Sequence, residues 1–322
     1  YEISCSLVDS EDVYKRQIED STNVCISKRA VIVMCADNGI VREGISQSGQ
    51  EVTLAVAQSM GRRESSVCRM ASASHTDVIP VDIGIAASCK IDGVLDEKIA
   101  CGTRNFAKEP AMTEKETLDA IDTGVRLVKQ CKENGYQILA TGEMGIGNTT
   151  TSSAVTAALL HRLASETAGR GAGLNDKGLS RKKQVIQEAI DRYDLYKADA
   201  FTVLQTVGGF DIAGLTGVFI GGAMYHVPIV LDGLISGAAA LLAKRIIPGT
   251  EHFMIASHLG KEPAAKAILK EIGIKPVIHG DLALGEGTGA VMVFSLLDLA
   301  MSVYNGRTDF SRLEMAPYER LS

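Results

Sequence analysis

The sequence predicts an α/β fold assembled from parallel βαβ units, and three features carry that reading. Six short apolar runs rich in Val and Ile read as strands, a glycine-bearing loop follows each, and helical patterns stand between them. With 322 residues, 46% hydrophobic and 22% charged, the chain is long enough for one large α/β domain, or a large domain with a small companion, around a sizeable core.

In order, the strands are "AVIVMCA" (30–36), "DVIPVDIGI" (77–85), "YQILAT" (136–141), "VPIVLD" (227–232), "HFMIAS" (252–257) and "KPVIHG" (275–280). Between them, "DKGLSRKKQVIQEAIDRY" (176–193) and "EPAAKAILKEIG" (262–273) place apolar residues at helical spacing on one side, which predicts amphipathic helices. "SGAAALLAKRI" (236–246) is apolar on most sides and is expected against the sheet. The tract 218–243 is broken by His226, Pro228 and Asp232, so it reads as buried helix, strand and helix and not as a membrane span. "TGAVMVFSLLDLAMSVY" (288–304) leads to an expected turn at Asn305 and Gly306, then to a polar tail that folds back into a small helical unit.

The first 17 residues show neither apolar periodicity nor a signal-peptide layout and read as a non-native scar segment. The expected division is therefore 1–17 scar, 18–290 large α/β catalytic domain, and 291–322 with part of the N-terminal segment as a small helical domain. A net charge of -6 with no dense basic face excludes a general nucleic-acid binder. Seven scattered cysteines (Cys5, Cys25, Cys35, Cys68, Cys89, Cys101, Cys131) without a CxxC pair suggest neither a disulfide framework nor a zinc site, and make the reducing cytoplasm the default compartment.

Ligands of open parallel sheets bind beyond the carboxyl ends of the strands, which directs attention to "CADNGI", "GEMGIGNTT", "DGLISG", "SHLGKE" and "GDLALGEGTGA". In the second of these, Gly142, Gly145 and Gly147 are expected to take positive φ and approach a ligand, while Thr149 to Thr151 sit where a helix N-terminus offers free N–H groups. That pattern is a phosphate cradle. It lacks the Gly-Lys-Ser/Thr ending of a P-loop and the spacing of a dinucleotide fingerprint, and glycines alone fit a helix-packing turn equally well.

Two carboxylates shift the balance. Glu143 and Glu286 both stand in glycine loops after strands, where they are suited to handle a proton or a developing cation. Glu286, between Gly285 and Gly287, is expected to project into a cleft whose desolvation would raise its pKa towards that of a base. Among the other residues near strand ends, Asp37 and Asp232 stay open, and Asp82 and Asp281 read as structural caps. His258 reads as a hydrogen-bonded loop histidine ahead of a catalytic one, and Lys182 as either a phosphate partner or part of a solvated helix face.

These motifs, taken together with "ADNGIVREGIS", "EVT", "VDIGI", "GTRNF", "KEPAMT", "VGGFDIAGLTG" and "LDGLISGAAAL", resemble the nicotinate-nucleotide dimethylbenzimidazole phosphoribosyltransferases from about Ala30 to Tyr304. The resemblance implies a Rossmann-like parallel sheet flanked by helices, a small helical domain formed from both chain ends, and a homodimer with active sites near its interface. It implies transfer of phosphoribose from nicotinate mononucleotide to a benzimidazole-type base, with no cofactor and no metal. Carried over by motif, Glu286 is the general base and Glu143 the second carboxylate. Gly142, Gly145, Gly147, Asn148 and Thr149 fall at the nucleotide, with Lys182 as phosphate partner. Ser48, Asp232, Ser236 and Leu284 complete the substrate-binding set. The chain departs from the family at Asn38, where "ADHG" is usual, at Gly49, where Pro is usual, and in lacking a "KPPGSLG"-like opening. The alternatives are a transferase with another acceptor, such as adenine or a phenol, and a non-catalytic nucleotide- or azole-binding protein.

Overall fold

Strand pairing in the computed structural model, which describes residues 24–280 and 282–306, is parallel throughout. The described strands are β1 (Arg29–Ala36), β2 (Asp77–Gly84), β3 (Leu95–Asp96), β4 (Ile138–Met144), β5 (Ile229–Leu231), β6 (Met254–Leu259) and β7 (Pro276–His279). They form one sheet in the order β3-β2-β1-β4-β5-β6-β7. All six expected strands are present, and β3, only two residues long, is too short to leave a periodic signal. The described helices are α1 (Glu51–Gly61), α2 (Ser66–Ala73), α3 (Glu114–Glu133), α4 (Asn148–Leu159), α5 (Ala164–Thr167), α6 (Asp176–Arg192), α7 (Ala200–Val207), α8 (Phe210–Met224), α9 (Leu234–Ile246), α10 (Ala265–Ile272) and α11 (Thr288–Gly306).

The order reverses beside β1. The chain moves outward through β2 and β3, then returns to pair β4 on the other side of β1, with Val31 opposite both Val78 and Ala140. A crevice opens at such a switch point, beyond the carboxyl ends of β1 and β4.

Why β1 is apolar without alternation follows from the two layers. Ala30, Ile32, Met34 and Ala36 face the helices α3, α4 and α6 to α10, whereas Val31, Val33 and Cys35 face α1, α2 and α11. Successive side chains point to opposite faces, so a strand covered on both must be apolar at every position. The same logic explains α8, buried from Phe210 to Gly222 and apolar around its whole circumference.

The last helix, α11, has the length and apolar composition of a membrane span. Here Ala290, Val291, Val293, Phe294 and Leu297 pack on the sheet, and Asp298 holds the buried guanidinium of Arg29 through two bonds of 2.7 Å. The helix continues through Asn305 and Gly306, where a turn was expected. The scar segment, the tail after residue 306 and Asp281 lie outside the described residues, and of the small helical domain expected from 291–322 with part of the N-terminal segment, 291–306 is described, within α11.

The helices α3 and α8 pass close enough for main chains to touch. A Cβ placed on Gly124 would overlap the carbonyl oxygen of Gly214, and one on Gly217 would overlap that of Ile121. Gly124→Ala is therefore expected to lower stability by about 2 kcal/mol despite alanine's better helix propensity, because the helices must separate. Urea unfolding of the variant measures this, and a stability equal to wild type would show that the crossing yields without cost.

Candidate functional site

Beyond the switch point, β4 delivers Glu143 and the loop to α4. Gly147 alone of the three loop glycines has positive φ (96°), which turns the chain into α4. Gly142 and Gly145 do not take the expected left-handed conformation. Their missing side chains admit other parts of the protein: a Cβ on Gly142 would overlap the Glu286 carbonyl, and one on Gly145 would stand 2.8 Å from Asp211 Oδ2.

The second glutamate loop reaches the same place. Gly285, Glu286 and Gly287 all have positive φ (78°, 59° and 89°), three left-handed residues in a row that reverse the chain into α11. For a glutamate this conformation is strained, and such strain persists only where the surroundings impose it. Glu286 Oε2 accepts a 3.0 Å hydrogen bond from Val67 N, in the first turn of α2, and a helix N-terminus favours a negative charge there. Asp232, at the end of β5, ties the loop from below by accepting from Ala290 N at 3.0 Å.

Two adjoining cavities share a wall of Glu143, Asn148, Thr149 and Ala172. The larger, about 290 Å³, also presents Asp232, Ser236, His258 and Leu284, with Met70, Leu282 and Met292 at an apolar end. The smaller, about 200 Å³, is walled by Ile45, Ser46, Gln47, Gly145, Ile146 and Gly147. Helices α4, α9 and α11 all start at the larger cavity, contributing Asn148 and Thr149, Leu234 to Ser236, and Thr288 and Gly289. Their positive dipole ends make it an anion site as well as an acidic one.

Gly142 and Glu286 line neither cavity; Glu286 stands behind the Gly285 wall. Ser48, partly buried, follows the Ser46–Gln47 wall of the smaller cavity without reaching it. Lys182 is not on a solvated face: it is fully buried behind Thr149, to whose Oγ1 its Nζ donates at 2.9 Å. Burial lowers its pKa to about 8, against the pull of Glu262. Asp82 is structural but caps no helix, since it accepts from Ile85 N at 2.9 Å and pairs with Lys98.

Asp211 was missed. Its carboxylate and that of Glu143 are bridged by one side chain, Asn148, whose Nδ2 donates to Glu143 Oε2 and, at 3.0 Å, to Asp211 Oδ2. The available signal was a single charge opening the otherwise apolar α8. Desolvation raises Glu143 to about 8, Asp232 to about 7 and Asp211 to about 6, reinforced at Glu143 by the charges of Asp211, Asp232 and Glu286. Glu143 is thus mostly protonated at neutral pH in the empty site. Among the described residues no three His, Cys, Asp or Glu side chains converge to hold a metal.

The profile of a family described as Phosphoribosyltransferase matches residues 13–313. The chain is 41% identical over 316 residues to a protein of Acetivibrio thermocellus named nicotinate-nucleotide–dimethylbenzimidazole phosphoribosyltransferase, covering 98% of this chain and 90% of that one. A protein of the same name from Clostridium acetobutylicum is 40% identical, with 98% and 90% covered. The crystal structure of CobT from Thermus thermophilus superposes with a TM-score of 0.93 at 32% identity, over 99% of this chain and 95% of that one.

The three raised carboxyl pKa values set a pH dependence. Between about pH 4 and pH 8 the folded chain holds protons that the unfolded chain has released, so their contribution is fully present below pH 4 and is lost as pH rises through 6, 7 and 8. Each proton of difference is worth about 1.4 kcal/mol per pH unit, shared across the coupled group. Glu143→Gln is expected to raise the Tm more at pH 8 than at pH 5. Parallel Tm profiles for variant and wild type would rule out a protonated Glu143.

Proposed function

Since this chain belongs to the nicotinate-nucleotide–dimethylbenzimidazole phosphoribosyltransferase family, we infer that its two cavities hold the substrates of that reaction. The enzyme moves the 5-phosphoribosyl group of nicotinate mononucleotide to dimethylbenzimidazole, giving α-ribazole 5'-phosphate and nicotinate, in cobalamin nucleotide-loop assembly. The observation that carries the assignment of roles is the meeting of the Glu143 and Glu286 loops at a cavity ringed by three helix N-termini.

Breaking the bond from ribose C1 to a pyridinium leaves an oxocarbenium-like centre, and nicotinate departs without needing an acid. The pyridinium of the bound nucleotide favours the ionised form of Glu143, whose proton passes to solvent, and the carboxylate then faces the developing charge. The phosphate sits at the α4 N-terminus against Thr149, with the Lys182 ammonium behind it, and this anion favours the charged form of Lys182. The azole lies against Leu284 and Met70, beside Glu286. Val67 N occupies Oε2, which leaves Oε1 to take the azole N–H proton. Cavities on either side of Glu143 separate the incoming base from the departing one, as inversion requires.

The working unit we propose is a cytoplasmic homodimer. Support comes from α11, where Met292, Leu299 and Val303, spaced seven and four residues apart, expose one apolar stripe 36%, 65% and 60% accessible. Met292 also walls the larger cavity, so a partner on this stripe would border the site.

Glu286→Gln keeps the shape of the side chain and removes its basicity, so nucleotide affinity should hold while turnover falls by about a hundredfold or more. Nicotinate release and product mass, followed with a panel of benzimidazole, adenine and phenol acceptors, measure both turnover and acceptor choice. Near-wild-type turnover would pass the role to Glu143. Direct displacement on the β-nucleotide must give the α-anomer, and a β-product would require a two-step route.

A further inference from the structure

His258, next to last in β6, stands on the wall of the larger cavity, and its hydrogen bonds determine its tautomer. Ser257 Oγ donates its one proton to the main-chain oxygen of Asp232 at 3.2 Å. Its 2.9 Å contact with His258 Nδ1 must then be a bond in which Nδ1–H donates and Oγ accepts. Asp232 Oδ1, 4.0 Å from Nδ1, is too far for a hydrogen bond, and burial pushes the imidazole below its usual pKa, so the pair is not an ion pair at neutral pH. The ring lies against Gly289, where any Cβ would overlap it.

What remains is Nε2, a lone pair without a donor among the described residues. Gly233 and Gly260 flank it, where a Cβ on either would stand 3.8 Å away in ordinary contact, so the two glycines leave that side of the ring uncovered. Ser236 Oγ, 1% exposed on the wall of the same cavity, also has no partner among the described residues. Buried polar atoms are rarely left unpaired unless a ligand or water meets them.

An acceptor cannot bind a phosphate or a carboxylate. In nicotinate mononucleotide the pyridinium, the carboxylate and the ionised phosphate offer no donor, which leaves the two ribose hydroxyls. We propose that His258 Nε2 accepts a hydrogen bond from a ribose hydroxyl of the bound nucleotide, with Ser236 completing the diol subsite. This rests on the reading above of the site, with the nucleotide's ribose in the larger cavity and the azole at that cavity's Leu284–Met70 end. His258 is then a substrate-binding residue that selects ribose over deoxyribose, and Ser257 is a positioning residue that keeps Nε2 free of a proton.

Calorimetry of wild type and His258→Phe with nicotinate mononucleotide and its 2'-deoxy and 3'-deoxy analogues tests the assignment. Phenylalanine retains the ring against Gly289 and removes the acceptor. Wild type should lose about tenfold in affinity with one of the two analogues, His258→Phe should lose about tenfold with the parent nucleotide, and the two losses should not add. Additive losses for both analogues overturn the assignment of His258 alone, whereas wild type that binds no nicotinate mononucleotide overturns the nucleotide-site reading with it. Nitrogen-15 histidine spectra of wild type need no variant. Nε2 should resonate as an unprotonated nitrogen and move on binding the nucleotide, but not on binding the analogue that lacks the contacting hydroxyl. A protonated Nε2, or equal movement with all three ligands, overturns the proposal.

Discussion

One main-chain contact organises the site: the Glu286–Gly287 backbone lies directly on Gly142 of β4. A side chain on Gly142 would occupy that place, and Gly287 in turn fits under Val31 and against Thr141. Because backbones approach this closely only without a Cβ between them, the loop after β7 is pressed across the sheet's switch point and sets Glu286 beside Glu143. The three left-handed residues 285–287 are the conformational consequence. They turn the chain into α11, whose Asp298 secures Arg29 at the opposite end of β1.

Charge is balanced on the same scaffold. Asp211, Asp232 and Glu143 are all raised by burial, the charges of Asp211 and Asp232 raise Glu143 further, and fully ionised together the three would destabilise the fold. Two devices offset this: amides bind the carboxylates, through Asn148 for Glu143 and Asp211 and through Ala290 for Asp232, and three helices direct their N-termini at the cavity. A nucleotide with a pyridinium ring and a phosphate is complementary to both halves of that field, its ring nitrogen to the carboxylates and its phosphate to the helix ends and Lys182.

The family departure at Asn38 falls just behind this machinery. Asn38 is fully buried, and its amide oxygen and nitrogen lack partners among the described residues. A Cβ on Gly147 would stand 3.2 Å from the Asn38 Cβ, so Asn38 packs against the α4 loop and lines neither of the two cavities.

Local chemistry determined the strands and the reactive loops. Val31 to Ala36 read as a strand because both faces of β1 are covered, a property written into every residue of the run, and Glu143 and Glu286 were legible because each sits in its own glycine loop. The tertiary structure decided what depends on neighbours distant in sequence. Lys182 belongs to an amphipathic helix whose polar face suggests solvent, yet Thr149, 33 residues away, roofs it over. Gly142 reads as a turn glycine, but it is a strand residue that makes room for the Glu286 loop, which arrives only after three further strands have been laid down. Asp211 and His258 likewise acquire their roles from Asn148, Ser257 and Asp232. Desolvation and hydrogen-bond partnership are properties of assembled space, and a residue's own sequence neighbourhood carries little trace of them.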